Sequence, residues 1–259
     1  GINSLSELAD YDPIRLKTSL YNYGEQHSEI AEQIIQQAKS QITGQPIPLS
    51  NNRPIPEIEN SSGVLIYDIE SDPDIHYDFL HGFVTIRKKN GVWDYKNAKY
   101  QSLLIPENKD EKFAWKRLEK KISFYKKWPI LHYGETEVIN ISRMAKRQGL
   151  SDTDIKNITG NFIDIHDRLR KSWILPVNSY GLKKVAQFTG FSWRSKRVDG
   201  AQALLWWRRW QGEGMKSRGS IINLHKIFNY NHDDCLATWS VANWLMQKEV
   251  IKENNIQLI

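Results

Sequence analysis

In the stretch VLIYDIESDPDIH, residues 64–76, an apolar run meets a series of acids, and Asp68 and Glu70 stand one residue apart. Side chains alternate along an extended strand, so Val64, Ile66, Asp68 and Glu70 point one way, with the two carboxylates about 6.6 Å apart along the backbone. That spacing lets both reach one cation or one pair of cations. The alternative is a strand that ends at Tyr67 and acids that sit in a solvated turn, which Ser71, Asp72 and Pro73 would support. Tyr230 and Asp234 lie at i and i+4 of a helical stretch, so they share a face. Glu137, with His132 and Glu135 nearby, lies where the ILHY segment gives way to a helix. If these three segments converge, four carboxylates repel one another unless cations compensate, and two Mg2+ or Mn2+ ions about 4 Å apart would do so. Such a pair activates a water and stabilises the leaving oxygen of a phosphodiester.

The elements that must position these residues follow from periodicity. VLIYDIE and DFLHGFVTIRK have strand character, and GVWDYKNAKYQSLLI is expected as a third strand, joined to the second by an Asn90-Gly91 hairpin turn. A helix is expected over residues 108–127, then a strand at PILHYG and a helix at TEVINISRMAKRQG. Beyond residue 150 the pattern is mainly helical. VNSYGLKKVAQFTG and AQALLWWRRWQGEG each form one helix in this reading, and a final helix spans about 224–247 with room for a kink. Strands giving way to helices in this order predict an α/β fold, a mixed sheet with helices packed on it. Ahead of it, residues 1–42 form a helical segment and residues 43–60 an extended linker or arm rich in proline. The main domain is then 61–259.

A chain of 259 residues that is 40% hydrophobic can bury one large core with a small appendage. Its net charge of +6 favours an acidic partner without requiring one. The lone Cys235 excludes an internal disulfide and a cysteine metal cluster, and suggests a reduced, cytoplasmic setting. No basic-then-apolar leader and no apolar run of membrane-spanning length is evident, so no membrane partner is expected. The histidines match neither a zinc finger nor an HExxH site, which argues against zinc, although His76 and His132 could face a phosphate. Asp164 and Asp167 in FIDIHDRL suit a helix cap better than a ligand site.

Residues 192–218 hold seven Lys or Arg against two acids, together with four of the ten tryptophans. Arg194, Lys196, Arg197, Arg208 and Arg209 could attract phosphates, and an exposed tryptophan could stack on an unpaired base. The competing reading, which helical spacing favours, has Trp206, Trp207 and Trp210 anchoring a helix in the core.

The ordered set YDIE, HYGETE and YNHDDC resembles the DEDD-type exonuclease module of the ribonuclease-H-like superfamily, in its tyrosine-bearing branch. More narrowly, YDIESDP, LHG, LHYGETE, SWILPVNSYGLKKVAQFTGF, VDGAQA and YNHDDCLAT resemble bacterial RecB-like nucleases over about residues 60–250, and residues 1–58 resemble the segment that precedes this module. The resemblance implies a ribonuclease-H-like fold and two-metal hydrolysis of nucleic acid from a 3′ end, with Mg2+ or Mn2+ as cofactor and a single-stranded end as substrate. It implies metal ligation by Asp68, Glu70, Glu137 and Asp234, and a catalytic role for Tyr230 in positioning the attacking water. Glu137 departs from the Asp more common at that motif, and Glu135 and Asp233 are its and Asp234's nearest competitors. Such modules often accompany a RecB-like nuclease domain on the same or a separate chain. The other reading is therefore a non-catalytic nucleic-acid-binding or assembly module.

Overall fold

The computed structural model describes residues 1–49, 55–106, 111–195, 198–212 and 217–256, and the side chains of these up to residue 247. Four helices open the chain: α1 (Leu5–Ala9), α2 (Pro13–Tyr21), α3 (Glu25–Glu29) and α4 (Ala31–Thr43). Ser4 and Asp12 cap the first two by accepting from the backbone amides of Glu7 and Arg15. They enclose a small core of Leu16, Ala31 and Ile35. The arm that follows contains a short strand, β1 (Ile47–Pro48), and a 3-10 turn at Pro56–Ile58.

The main sheet begins with β2 (Gly63–Asp72) and β3 (Tyr77–Lys89), and continues with β4 (Val92–Trp93) and β5 (Lys99–Leu104). Next come α5 (Glu111–Phe124), β6 (Ile130–His132), α6 (Thr136–Arg147), α7 (Asp152–Thr159), β7 (Phe162–Asp164), α8 (Ile165–Ser172) and β8 (Trp173–Ile174). Three helices finish the chain: α9 (Leu182–Phe188), α10 (Gly200–Gly212) and α11 (Arg218–Ile256). Among the described residues the strand order is β4-β3-β2-β6-β7, with β5 also paired to β3. β2 runs antiparallel to β3 and parallel to β6, and β6 runs parallel to β7. The fold is α/β, a mixed sheet flanked by helices.

Alternation along β2 assigns its two faces. Val64 and Ile66 enter the core beneath α8, α9 and α11, while Leu65 and Tyr67 enter the core beneath α5, α6 and α10. Asp68 and Glu70 continue on the first face, because the β2–β3 register stays regular until a bulge after Glu70. On the opposite face Trp206, Trp207 and Trp210 are all buried, and Trp207 stacks on Phe79 at 4.3 Å. These tryptophans pack the core, as their helical spacing suggests.

Some expectations need correction. The third strand is split into β4 and β5 by a 3-10 turn at Tyr95–Asn97, where Asn97 donates to the Asp94 carboxylate and Lys89 pairs with it. The hairpin itself is as expected, with Asn90 and Gly91 both at positive φ. The helix expected over VNSYGLKKVAQFTG is confined to Leu182–Phe188, since Ser179 holds the Gly181 amide in a turn before it. FIDIHD, not expected as a strand, supplies β7. The final helix is longer than the expected 224–247 and is continuous. Residues 108–110 of the helix expected over 108–127 lie outside the described residues.

The N-terminal segment packs on the main body. Gln37 of α4 donates to the Leu175 carbonyl at 2.8 Å, Gln41 donates to that of Val177, and β1 pairs antiparallel with β8.

α11 approaches the sheet closely at Gly82 of β3. A Cβ there would lie 1.6 Å from Oδ1 of Asn231. Gly82→Ala must therefore displace the Asn231 side chain from its bonds to Asp68 and Tyr100 or push strand and helix apart, with an expected loss of about 1–3 kcal/mol of stability from overpacking. Urea denaturation of the two proteins measures it, and an unchanged midpoint would show that the contact yields freely.

Candidate active site

Two elements bring three of the acids together, and Glu137 of α6 is not among them. β2 presents Asp68 and Glu70 from one face, and α11 crosses that face with Asp234 turned toward them. One carboxylate oxygen from each of the three lies within 4.8 Å of the others. Glu70 and Asp234 are buried and Asp68 is half-buried.

Hydrogen bonds hold this arrangement. The Asn231 amide donates to Asp68 Oδ2 at 2.7 Å and reaches Glu70 Oε1 at 3.5 Å, while its own carbonyl oxygen accepts from the Tyr100 hydroxyl at 2.9 Å. Trp193 Nε1 donates to Asp234 Oδ1 at 2.6 Å. The Tyr230 hydroxyl, one helical turn before Asp234, also bonds to it. The half-buried Lys183 lies over the Tyr230 ring, 5.6 Å from its centroid, and donates to the Val198 carbonyl.

Glu137 stands in the first turn of α6 and is buried. Its Oε2 makes no hydrogen bond and lies 3.6 Å from His132 Nδ1, which is itself 2.7 Å from the Gly134 carbonyl oxygen. Glu135, by contrast, is exposed. Asp233 is bound by Arg194, through the backbone amide and Nε, so it and Asp234 face different partners. Asp164 caps α8 by accepting from the amides of His166 and Asp167, and also accepts from Gly134.

Burial dominates the electrostatics. Desolvation, then Asp234 and Glu70, pushes the Asp68 carboxyl well above the usual range, and desolvation and Asp234 do the same to Glu70. Asp234 is pushed up to about 6, again chiefly by burial, although Trp193, Tyr230 and Lys183 oppose the shift. The charge of Glu137 adds to the rise at both Asp68 and Glu70. Tyr230 is held above its ordinary value by burial and by Asp234, so its phenol stays protonated. Buried oxygen donors that repel one another suit a hard divalent cation.

The expected phosphate-binding residues are more scattered. Arg194 is committed to Asp233 and Asn229, and Arg208 to Asp72 and Asp74. Arg209 is exposed. Lys196 and Arg197 lie outside the described residues.

Residues 65–246 match the family profile of the RNase H superfamily. The chain belongs to the RNase H superfamily. No curated protein and no solved structure matches it. An RNase H-like domain with a carboxylate cluster at Asp68, Glu70 and Asp234 fits nuclease activity, and suggests divalent metal binding and a nucleic-acid substrate. No helix among the described residues is long and apolar enough to cross a membrane.

Asn231 and Trp193 bond to the cluster and Lys183 lends it positive charge, yet none stands out in the sequence. Asn231 lies inside YNHDDC and Lys183 inside SYGLKKV, so the signal is their place within those motifs, while their contacts depend on how α9 and α11 pack.

The raised carboxyls set a pH dependence in metal-free buffer. Between the unfolded value near 4 and the folded value, the native state binds protons that the unfolded chain does not, so stability rises as pH falls through about 6. Thermal melts in chelator should therefore show a higher midpoint at pH 5 than at pH 7.5, and the opposite order would contradict the burial of these charges.

Proposed function

We propose that this protein is a divalent-metal-dependent nuclease of the DEDD type in its tyrosine-bearing branch, related to RecB-like nucleases, that removes nucleotides from a single-stranded 3′ end. The observation that carries the reading is the approach of Asp68, Glu70 and Asp234 to within 4.8 Å of one another, supported by a buried Glu137 oxygen that accepts no hydrogen bond. A cluster built only for stability would leave neither a carboxylate repulsion nor an orphaned carboxylate oxygen in place.

Asp68, Glu70, Asp234 and Glu137 would hold the cations, with Mg2+ or Mn2+ matching all-oxygen donors. When bound, two such ions supply charge neutralisation and Lewis acidity at the scissile phosphate. Tyr230, protonated and tied to Asp234, can accept a hydrogen bond from the attacking water and fix its direction. Trp193 and Asn231 orient the carboxylates from behind and restrict their rotamers. The domain that performs this is 61–259, with the N-terminal segment packed on it.

Asp234→Asn tests this directly, because it keeps the size and the acceptor for Trp193 but removes one charge. With labelled single-stranded DNA and RNA and Mn2+, cleavage should fall at least about a hundredfold, as expected for loss of several kcal/mol of charge stabilisation. Calorimetric Mn2+ uptake should weaken with it, while the metal-free protein melts no earlier than the parent. Equal uptake and equal cleavage rates would remove Asp234 from the site. Mononucleotide release by the parent protein supports the exonuclease, and intact polymer throughout would reject it.

A further inference from the structure

The exposed side of α5 and the turn after it carries a concentration of positive charge that the acidic cluster does not use. Residues 112–127 hold seven Lys or Arg against one acid, Glu119. Lys112, Lys116, Arg117, Lys120, Lys126 and Lys127 are exposed, and none has an ion-pair partner among the described residues. Glu111, the acid that could neutralise the start of the helix, is taken by Arg147 in a two-point contact at 2.8 and 3.0 Å and by Gln148.

Lys112, Lys116 and Lys120 follow one another at i+4, a rise of about 6 Å per step along the helix. That is close to the distance between successive phosphates of an extended strand. Between these cations stand Phe113 and Phe124, 64% and 76% exposed, which the fold leaves in water. Exposed rings interleaved with cations suit stacking on unpaired bases beside phosphate contacts.

A groove runs along α6 toward this face. Glu137 sits in the first turn of α6, and the same helix lines a groove of about 480 Å3 with Thr136, Asn140, Arg143 and Arg147. Asp78, on the opposite wall, already accepts from Ser71 and Asn140, so its charge is partly engaged. Arg143 is exposed and has no ion-pair partner among the described residues. At the far end of the groove Arg147 meets Glu111, the first residue of α5.

We propose that the basic face of α5, with the groove beside α6 that leads toward it, is a binding surface for the phosphate backbone of a nucleic-acid strand. The assignment rests on the nuclease reading for what lies at the other end of the strand. It explains why Arg194 and Arg208 can be tied to carboxylates, since α5 supplies the free charge.

The test is equilibrium binding of a labelled 30-nucleotide single strand, in chelator, across a salt series. The parent is compared with a variant carrying Lys112→Gln, Lys116→Gln, Lys120→Gln and Lys127→Gln, and with a control carrying Lys17→Gln and Lys39→Gln on the N-terminal helices. Circular dichroism confirms that all three fold. Each lysine that neutralises a phosphate adds about 0.7 to the steepness of log affinity against log salt, so the four-fold variant should have a slope shallower by nearly 3 and bind at least about tenfold more weakly at 0.1 M salt. The control should keep the slope of the parent. An unchanged slope in the four-fold variant, or an equally shallow one in the control, would overturn the proposal. So would competition by poly-glutamate as effective as that of the oligonucleotide, which would make the face a site for an acidic protein. Lysine-dependent binding without any cleavage by the parent would support this surface while removing the nuclease reading, whereas cleavage with lysine-independent binding would do the reverse.

Discussion

Asp68, Glu70 and Asp234 are forced into mutual range by a helix that lies across the strand bearing the first two, and burying like charges opposes folding. The surrounding groups make sense as answers to that repulsion. Asn231 spans two of the carboxylates, Trp193 and Tyr230 donate to the third, and Lys183 lends positive charge to Glu70 and Asp234. Asn231 can reach them only because Gly82 lets α11 settle onto β3. The sheet, the helix crossing and the loop carrying Trp193 are thus coupled through one electrostatic problem.

That problem links stability to ligand binding. The apolar cores on both faces of β2 provide the favourable free energy of folding, with Val64 and Ile66 on one side and Leu65 and Tyr67 on the other, all essentially excluded from water. They tolerate a cluster that would be costly in a smaller domain. Glu137 adds a further buried oxygen with no donor. A divalent cation would convert these unfavourable terms into favourable ones, so metal uptake and fold stability should be linked by mass action.

Much of this geometry is legible in residue spacing. The period of two in VLIYDIE places Asp68 and Glu70 on one face, and the i, i+4 relation of Tyr230 and Asp234 places them on one side of a helix, because both are local consequences of backbone geometry. Burial of Trp206, Trp207 and Trp210 follows from the same logic. The importance of Glu137 over Glu135 comes from family resemblance, since both sit near one helix start and only the packing of α6 buries one and exposes the other. What stays hidden is tertiary. The break between β4 and β5 depends on Lys89 and Asn97 both binding the Asp94 carboxylate, β7 is too short to show a period, and the support from Trp193 depends on a loop folded over α11. The docking of α4 through Gln37 and Gln41 is likewise invisible to periodicity, because glutamines bonded to backbone carbonyls look like ordinary surface residues.

If the carboxylates are gathered to hold cations, anomalous diffraction from crystals grown with Mn2+ at neutral pH reveals it most directly. Strong manganese peaks are then expected within ligand distance, about 2.0–2.3 Å, of oxygens from Asp68, Glu70 and Asp234, with Glu137 close to one of them. Crystals that contain ordered manganese elsewhere, with no peak between these three residues and their oxygens still engaged only by Asn231, Trp193 and Tyr230, would contradict it.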